Sequence, residues 1–283
     1  MKKILVIHNK YQETGGEDIS VMEEIKFLNK NFIVEELIFS NKIDNFLSQI
    51  FYFLINKNLK SMKSLRKILN EFNPDFVYIH NSWYKASLGI FSVLKQHDAK
   101  IIVKLHNFRY FCTKSYLQKN HFSQSNFCQG CGNKKSKIIL NKYFKNSWIR
   151  SILISRYGNK YFKILKESDL KIVVLTNFHK QFLVDENFNR EKIYVCNNFL
   201  QVSQKPSESN NKYIVYSGRI SEEKGSRELI ANFLESDLKD FKLKIIGDGP
   251  LLKELKSEYS GFQNIEFLGY MSNENAREVI SKC

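Results

Sequence analysis

Two cations flank a glycine-containing turn in the last third of the chain. Arg219 and Lys224 lie five positions apart in the stretch Gly218-Arg-Ile-Ser-Glu-Glu-Lys-Gly225. The apolar run before this stretch predicts a buried strand, and the periodic segment from Gly225 to Phe233 predicts a helix. Because the first turn of a helix attracts negative charge, the two side chains could hold a diphosphate between them. The alternative is an ordinary strand-to-helix loop with two solvated cations.

His106 is a second candidate for chemistry, because it directly follows a predicted strand from Lys100 to Leu105. Open parallel sheets bind their ligands at the carboxyl ends of the strands, where this histidine would lie. An imidazole at such a place can donate or accept a hydrogen bond near neutral pH. The alternative is a histidine that only bonds a nearby carbonyl.

A cluster of cysteines forms a third group of candidates. Cys112, Cys128 and Cys131 follow one another with His121 between them, in the pattern C-x8-H-x6-C-x2-C. The pair Cys128 and Cys131 has the spacing of a zinc knuckle, and His121 or His106 could supply a fourth ligand. The pattern leaves two readings open, a structural zinc site or reduced and buried thiols.

The elements that must position these residues alternate between strands and helices, which implies an α/β fold with a parallel sheet. Within the first 200 residues the predicted strands are Lys3–His8, Phe32–Phe39, Phe76–His80, Lys100–Leu105, Leu170–Leu175 and Ile193–Cys196. The predicted helices are Asp18–Asn29, Tyr84–Gln96, Ile138–Lys166 and Asn177–Asn187.

The stretch from Lys42 to Phe72 also has helical periodicity, with several lysines nearby. Phe46, Ile50, Phe53 and Leu54 fall on one face of the predicted helix. Such a face belongs either to a pair of helices directed at the core or to a surface that rests on a membrane.

The net charge of +15 comes from one segment of the chain. Fifteen of the 44 Lys and Arg residues lie between Ala99 and Lys166, where Asp and Glu are absent, and the other 29 balance the 29 acidic residues. This basic block predicts an anionic partner such as a phosphorylated substrate, a lipid headgroup or nucleic acid. No apolar run is long enough for a membrane span, and the five cysteines do not suggest a disulfide framework, so we expect a cytoplasmic protein.

The polar stretch at 201–211 predicts a linker between two domains. The segment beyond it contains three predicted strands, Tyr213–Ser217, Leu243–Ile246 and Ile265–Leu268, with helices between and after them. A doubly wound domain usually has five or six strands, so we expect this second domain to be incomplete and the chain to be truncated.

Several motifs resemble those of the family 4 glycosyltransferases. Three follow in the order and spacing of the nucleotide-sugar half of that family: Gly218-Arg-Ile-Ser-Glu-Glu-Lys-Gly225, Ile245-Ile-Gly-Asp-Gly-Pro250 and Asn264-Ile-Glu-Phe-Leu-Gly-Tyr270. In the first half, Gly15-Gly16-Glu17-Asp18 and Leu105-His-Asn-Phe-Arg109 resemble its glycine loop and its histidine motif. The resemblance covers nearly the whole chain and implies the GT-B architecture, in which two Rossmann-like domains face each other across the active site.

The resemblance also implies a boundary for each domain. The first domain would span 1–200, with the basic, cysteine-containing segment inserted at about 107–166. After the linker at 201–211, residues 212–283 would form the first half of a nucleotide-sugar-binding domain. The family continues into a Glu-x7-Glu segment that contacts the donor sugar and the ribose, and no equivalent pair precedes the end of this sequence.

Roles for individual residues follow from the same resemblance. Arg219 and Lys224 match the pair that binds the donor diphosphate, and His106 matches the active-site histidine that contacts the donor sugar. The backbone of the glycine loop, Gly15 and Gly16, would approach the diphosphate. Three further residues match positions that face the nucleotide, namely Gly247, Gly249 and Tyr270.

The resemblance therefore implies a retaining glycosyltransferase without an obligatory metal, which uses a UDP- or GDP-sugar in cell-surface polysaccharide biosynthesis. Its acceptor would be a glycan or a polyprenyl-diphosphate-linked glycan at the cytoplasmic membrane face, where the basic block would meet anionic lipid. One alternative is a truncated and inactive transferase. Another is a nucleic-acid-binding protein with a zinc knuckle, because aromatic residues alternate with cations in the basic block. Those aromatic residues are Phe108, Tyr110, Phe111, Tyr116, Phe127, Tyr143 and Trp148.

Overall fold

The computed structural model describes residues 1–11, 15–41, 51–52, 54–83, 85–108, 110–111, 148–199 and 211–283. The chain divides into two units, Met1–Gln201 and Val202–Cys283. In the described residues, each unit is built around its own parallel sheet. The predicted class, an α/β protein with Rossmann-like domains, is confirmed.

The first unit contains a six-stranded sheet in which neighbouring strands run parallel, in the order β2-β1-β3-β4-β5-β6. The order places β1 between the edge strand β2 and β3, because the chain crosses over the sheet after β2. The strands are β1 (Lys3–Lys10), β2 (Ile33–Ser40), β3 (Phe76–Ile79), β4 (Lys100–Leu105), β5 (Lys171–Val174) and β6 (Ile193–Val195). The helices are α1 (Gly16–Leu28), α2 (Leu59–Phe72), α3 (Gly89–Leu94), α4 (Trp148–Glu167) and α5 (Asn177–Asp185).

The strands of the first unit are apolar along most of their length because both faces of the sheet are covered. Leu5 and Ile7 on β1 belong to the larger hydrophobic core, whereas Ile4 and Val6 pack with Val21 of α1 in a separate core cluster. Alternate side chains of one strand thus enter different cores, as the strand period of two residues requires.

Two helices of the first unit differ from their predicted extent. The helical pattern from Lys42 to Phe72 is interrupted, because residues 51–52 and 54–55 are helical, Asn56 adopts a positive φ, and α2 begins at Leu59. The Asn58 side chain accepts hydrogen bonds from the first turn of α2. Residues 42–50 and Phe53 lie outside the described residues. The helix predicted from Tyr84 starts at Gly89, where a Cβ would come within 2.7 Å of the Met62 sulfur of α2.

The second unit contains a parallel sheet of three described strands in the order β7-β8-β9. Its core is formed by Ile220, Ile230, Leu243, Ile245 and Leu255, which are nearly inaccessible to solvent. The strands are β7 (Tyr213–Ser217), β8 (Lys242–Ile246) and β9 (Ile265–Gly269). The helices are α6 (Ser226–Glu235), α7 (Leu252–Glu258) and α8 (Asn273–Ser281).

None of the helices in the described part of the chain combines the length and the apolar character that crossing a membrane requires.

Candidate functional site

In the second unit, the turn after β7 leaves two cations on the surface. Arg219 and Lys224 are both exposed, whereas Ile220 between them is fully buried and anchors the turn in the core. Lys224 ends a short 3-10 turn, and Gly225 then takes a left-handed conformation with φ of 66° before α6 begins. Exposed cations around a buried anchor form a turn that can meet a ligand without rearranging the core.

Neither of these two cations forms an ion pair among the described residues. Arg227, the third cation of the region, is bound by Glu254 and Glu258 of α7 instead. The positive charge that remains for a ligand therefore belongs to Arg219 and Lys224. Lys224 directly precedes Gly225, the N-cap of α6, and the backbone N–H groups in the first turn of this helix have no partner within the helix.

Packing requires glycine at Gly247 and Gly249, the two glycines predicted to face the nucleotide. A Cβ on Gly247, whose φ is 140°, would lie 1.9 Å from the carbonyl oxygen of Gly218, and one on Gly249 would lie 2.2 Å from that of Ile220. Only glycine allows the turns after β7 and β8 to approach this closely.

Backbone hydrogen bonds join these two turns to each other. Gly218 N–H donates to Ile246, Ile220 N–H donates to the carbonyl of Asp248, and Leu251 N–H donates back to the carbonyl of Ile220. These bonds hold the turn that carries Arg219 against the turn after β8.

Tyr270 is the last of the predicted nucleotide-facing residues in this unit. It follows β9 and is 77% exposed, which leaves its ring open to a ligand.

In the first unit, three histidines lie at the carboxyl ends of three adjacent strands. His8 lies near the end of β1, His80 follows β3 and His106 follows β4. Nδ1 of His80 lies 3.0 Å from Nε2 of His106, and their rings are stacked with centroids 5.3 Å apart. The His8 ring is edge-on to that of His80 at 6.3 Å. Strand order brings these residues together, although they are far apart in the sequence.

Burial keeps His80 and His106 neutral. It lowers the pKa of His106 to about 3, with Lys104 as the next contribution, and it lowers the pKa of His80 well below the ordinary value. At neutral pH each of these two rings therefore carries one proton. His106 can donate or accept a hydrogen bond here, but it cannot serve as a cation.

A buried ion pair between Lys104 and Glu24 lies next to His80. The Lys104 ammonium on β4 pairs with Oε1 of Glu24 on α1, and both side chains are buried. Oε2 of the same carboxylate accepts a hydrogen bond of 2.9 Å from the Tyr78 hydroxyl and lies 4.0 Å from Nε2 of His80. Burial, with the carboxylate of Glu24 as the next cause, raises the pKa of Tyr78, so the hydroxyl keeps its proton.

The glycine loop contacts the first histidine through Asp18. Oδ1 of Asp18 lies 2.7 Å from Nε2 of His8, and Oδ2 accepts a hydrogen bond from Gly15 N–H at 2.9 Å. Burial alone would raise the pKa of Asp18, but the bonds to His8 and Gly15 outweigh it and hold that pKa below its usual range. The N–H of Gly15 is therefore engaged, whereas Gly16 is exposed and a Cβ there would meet nothing within 4 Å.

His106 and His80 line a small pocket in the first unit. Glu17 from the start of α1 and two asparagines, Asn81 and Asn107, supply further polar groups. Glu17 accepts hydrogen bonds from the Tyr11 hydroxyl and from Nδ2 of Asn107. The remaining lining residues are Trp83, Leu105, Tyr110 and Tyr161. Aromatic rings beside neutral amides and a carboxylate suit a polyhydroxylated ligand.

Three of the aromatic residues considered for nucleic-acid stacking belong to the core of the first unit. Tyr110 is 1% exposed, and its hydroxyl lies 2.7 Å from Nε2 of His179. Phe108 stacks on His179 at 4.2 Å, and Phe111 is edge-on to Phe182 at 4.9 Å. These rings are engaged in packing, which removes part of the support for the nucleic-acid hypothesis.

The candidate zinc ligands, Cys112, Cys128 and Cys131, lie outside the described residues, as does His121. Within the described part of the chain, no group of three or more His, Cys, Asp or Glu side chains is arranged to hold a metal ion.

The sequence pattern did not single out His8, His80 or the buried pair Glu24 and Lys104. A signal for the histidines was present, because an apolar strand is followed by His three times, in Leu-Val-Ile-His8, Val-Tyr-Ile-His80 and Val-Lys-Leu-His106. A repeated residue at the carboxyl ends of parallel strands indicates a shared edge. The ion pair carried no such signal, since Lys104 and Glu24 are ordinary surface residue types.

Comparison with known proteins agrees with this architecture. Residues 199–283 match the family model described as glycosyl transferases group 1. No curated protein matches the sequence.

Among solved structures, the protein is similar to HepE from Anabaena, crystallised with UDP-glucose, with 15% identity and a TM-score of 0.58 over 100% of this chain and 72% of that one. A glycosyltransferase from Rickettsia africae has 16% identity and a TM-score of 0.56, covering 98% of this chain and 70% of that one. The catalytic domain of starch synthase IV from Arabidopsis thaliana, bound to ADP and acarbose, has 11% identity and a TM-score of 0.58, covering 99% and 76%. The protein therefore has the GT-B fold of two Rossmann-like domains, and its residues 199–283 are similar to the glycosyl transferases group 1 family.

Proposed function

We propose that this protein is a retaining glycosyltransferase that transfers a sugar from a UDP- or GDP-sugar to a glycan acceptor. The observation that carries the proposal is a pair of exposed cations, Arg219 and Lys224, within the segment that matches the group 1 family model. Neither cation forms an ion pair with another described residue. The UDP-glucose bound to the similar Anabaena protein supports a nucleotide sugar as the donor.

In the proposed reaction, Arg219 and Lys224 bind the diphosphate of the donor. Negative charge grows on the departing nucleoside diphosphate as the glycosidic bond breaks, so fixed cations stabilise the transition state more than the ground state. The chemistry then needs no metal ion, because two cations and the helix N-terminus meet the charge. Tyr270 would stack on the base.

His106 would contact the donor sugar as a neutral hydrogen-bonding group, consistent with its lowered pKa. Gly16 would let the backbone approach the donor, since the space around its Cα is open. The first turn of α1 carries Glu17 and Asp18, which reduce its attraction for phosphate.

We further propose that the acceptor is linked to a polyprenyl diphosphate and that the first unit rests on an anionic membrane surface, in a pathway of cell-surface polysaccharide biosynthesis. Four exposed apolar side chains support this proposal: Phe51, Leu54, Ile55 and Leu59. Five exposed cations accompany them: Lys57, Lys60, Lys63, Arg66 and Lys67. Apolar groups beside cations are typical of an interfacial helix.

The test of the donor proposal is a binding and turnover panel. We expect UDP or GDP to bind more tightly than the matching monophosphate, and a UDP- or GDP-sugar to be consumed in the presence of a chelator. Proton NMR of the product anomer would report retention. Equal binding of the nucleoside and the nucleoside diphosphate would contradict a diphosphate site at Arg219 and Lys224.

A further inference from the structure

The contact between His80 and His106 is a hydrogen bond between two imidazole rings, in which only one ring can be the donor. Nδ1 of His80 and Nε2 of His106 are 3.0 Å apart, so one nitrogen donates and the other accepts. Both rings are neutral at pH 7 because burial lowers both pKa values, and each therefore has a single proton to place. The position of one proton then determines that of the other.

The outer nitrogen of His80 faces a carboxylate. Nε2 of His80 has no hydrogen-bond partner among the described residues and lies 4.0 Å from Oε2 of Glu24. Glu24 is held in place by Lys104 and by the Tyr78 hydroxyl. A proton on Nε2 is attracted by the carboxylate, whereas a lone pair there would be repelled by it. The proton of His80 is therefore favoured on Nε2, and its Nδ1 becomes the acceptor.

The far side of His106 favours the same arrangement. If Nδ1 of His80 accepts, the His106 proton lies on Nε2, and Nδ1 of His106 carries a lone pair. That Nδ1 is buried and has no hydrogen-bond partner in the part of the chain that the structure describes. An unpaired buried donor is a rarer feature of proteins than an unpaired acceptor, so the opposite tautomer is disfavoured at this end of the pair as well.

We propose that His80 is a positioning residue, which holds the proton of His106 on Nε2 and keeps Nδ1 of His106 as an acceptor for a hydroxyl of the sugar substrate. That the hydroxyl belongs to a sugar substrate rests on the proposed transferase function. An unpaired buried acceptor is unfavourable, so Nδ1 of His106 gains from any hydroxyl that reaches it. Nδ1 of His106 then accepts a hydrogen bond from the sugar, while Nε2–H of His106 donates to His80 and not to the sugar.

The first test measures the tautomer directly in the wild-type protein. Imidazole nitrogen-15 NMR on histidine-labelled protein distinguishes a protonated Nε2 from a protonated Nδ1, and the spectrum of His106→Asn assigns the His106 signals. We expect Nε2 of His106 and Nε2 of His80 to be protonated at pH 7. A proton on Nδ1 of His106 would overturn the proposal. This readout needs no activity, so it is independent of the transferase function.

The second test uses two variants of similar size at position 80. The oxygen of His80→Asn can accept a hydrogen bond close to the place of Nδ1, whereas His80→Leu removes the acceptor and fills a similar volume. We expect His80→Asn to keep the His106 tautomer and His80→Leu to lose it, with kcat about tenfold lower and UDP affinity unchanged, since one hydrogen bond is lost.

If His80 serves only for packing, the two variants should behave alike in the tautomer spectrum, and that result would reject a positioning role. Should His80→Leu fail to fold, the wild-type and His80→Asn spectra still decide the question. A correct tautomer without any nucleotide-sugar turnover would support the positioning role and contradict the proposed function, so the two failures can be told apart.

Discussion

At the scale of single residues, the cations of the second unit and the histidines of the first are positioned by different means. Arg219 is exposed because its neighbour Ile220 is buried and fixes the turn. His106 is held in a buried network, in which His80, Glu24 and Lys104 restrict its environment. The first arrangement suits a charged ligand that arrives from water, and the second suits a neutral contact of defined direction.

Replacing Arg219 by Ala should lower turnover at least about a hundredfold, which corresponds to about 2.7 kcal/mol of lost charge stabilisation in the transition state. The measurement is kcat/KM with the preferred nucleotide sugar, together with UDP or GDP affinity. The matched control is Lys239→Ala, which removes an exposed cation from the loop before β8, at the other end of that sheet. Activity of Arg219→Ala within threefold of wild type would refute the diphosphate role.

At the scale of elements, the turns after β7 and β8 lie at the carboxyl ends of the strands of the second sheet, and their backbones are in contact. Gly249 lies where a Cβ would meet the carbonyl of Ile220 at 2.2 Å, and Ile220 anchors the turn that carries Arg219. The glycine therefore acts on the candidate ligand site through packing, whether or not it also contacts the nucleotide.

We expect Gly249→Ala to destabilise the second unit by about 1–3 kcal/mol, the usual range for overpacking, and to weaken nucleotide binding because the Arg219 turn must move. Gly261→Ala is the control, since a Cβ at Gly261 meets nothing within 4 Å. Amide hydrogen exchange of β7 and β8 would report the stability of this unit. Equal protection in the two variants would contradict the packing argument.

Helix α2 and the segment before it provide the second prediction at this scale. The sequence was compatible with a pair of helices whose apolar faces point into the core. In the structure Leu54 and Leu59 are 45% and 54% exposed. The buried face of α2 is formed by Met62, Leu65 and Leu69 instead. An apolar edge beside lysines is suited to a lipid surface.

The double substitution Leu54→Ser and Leu59→Ser should reduce binding to vesicles that contain phosphatidylglycerol by about tenfold, because roughly 1–2 kcal/mol of apolar burial in the interface is lost. Co-sedimentation at low and high salt would measure it. Leu238→Ser, which alters an exposed leucine of the second unit, is the control. Unchanged binding of the double variant would exclude α2 and its preceding segment as the membrane-facing surface.

At the scale of the whole molecule, the neutral buried histidines link stability to pH. Burial lowers the pKa of His106 to about 3 and that of His179 to about 4, so both bind fewer protons in the folded than in the unfolded protein between those values and about 6.5. The stability they contribute is present above about pH 6.5 and is lost as the pH falls towards 4.

The free energy of unfolding of the first unit should therefore fall on acidification, with a slope approaching about 1.4 kcal/mol per pH unit for each such histidine. His179→Gln should reduce that slope, because its side-chain oxygen can still accept from Tyr110 but does not titrate. Both tryptophans, Trp83 and Trp148, lie in the first unit, so denaturant unfolding followed by their fluorescence reports on it. His97→Gln is the control, and an equal slope for His179→Gln and wild type would contradict the assignment.

Local pattern in the sequence determined which segments form strands and helices, since hydrophobic periodicity and glycine turns act over a few residues. β1, β4 and β7 were predicted within two residues of their observed ends. The turn from Gly218 to Gly225 could also be found this way, because the strand, the glycines and the two cations are adjacent in sequence.

Tertiary structure alone decided which distant residues meet. His80 and His106 are 26 positions apart, and they touch because β3 and β4 are neighbours in the sheet. The close approach at Gly249 and the buried pair Glu24 and Lys104 likewise depend on how separate elements pack. Strand order and packing are set by the free energy of the whole fold, which periodicity within a short segment does not contain.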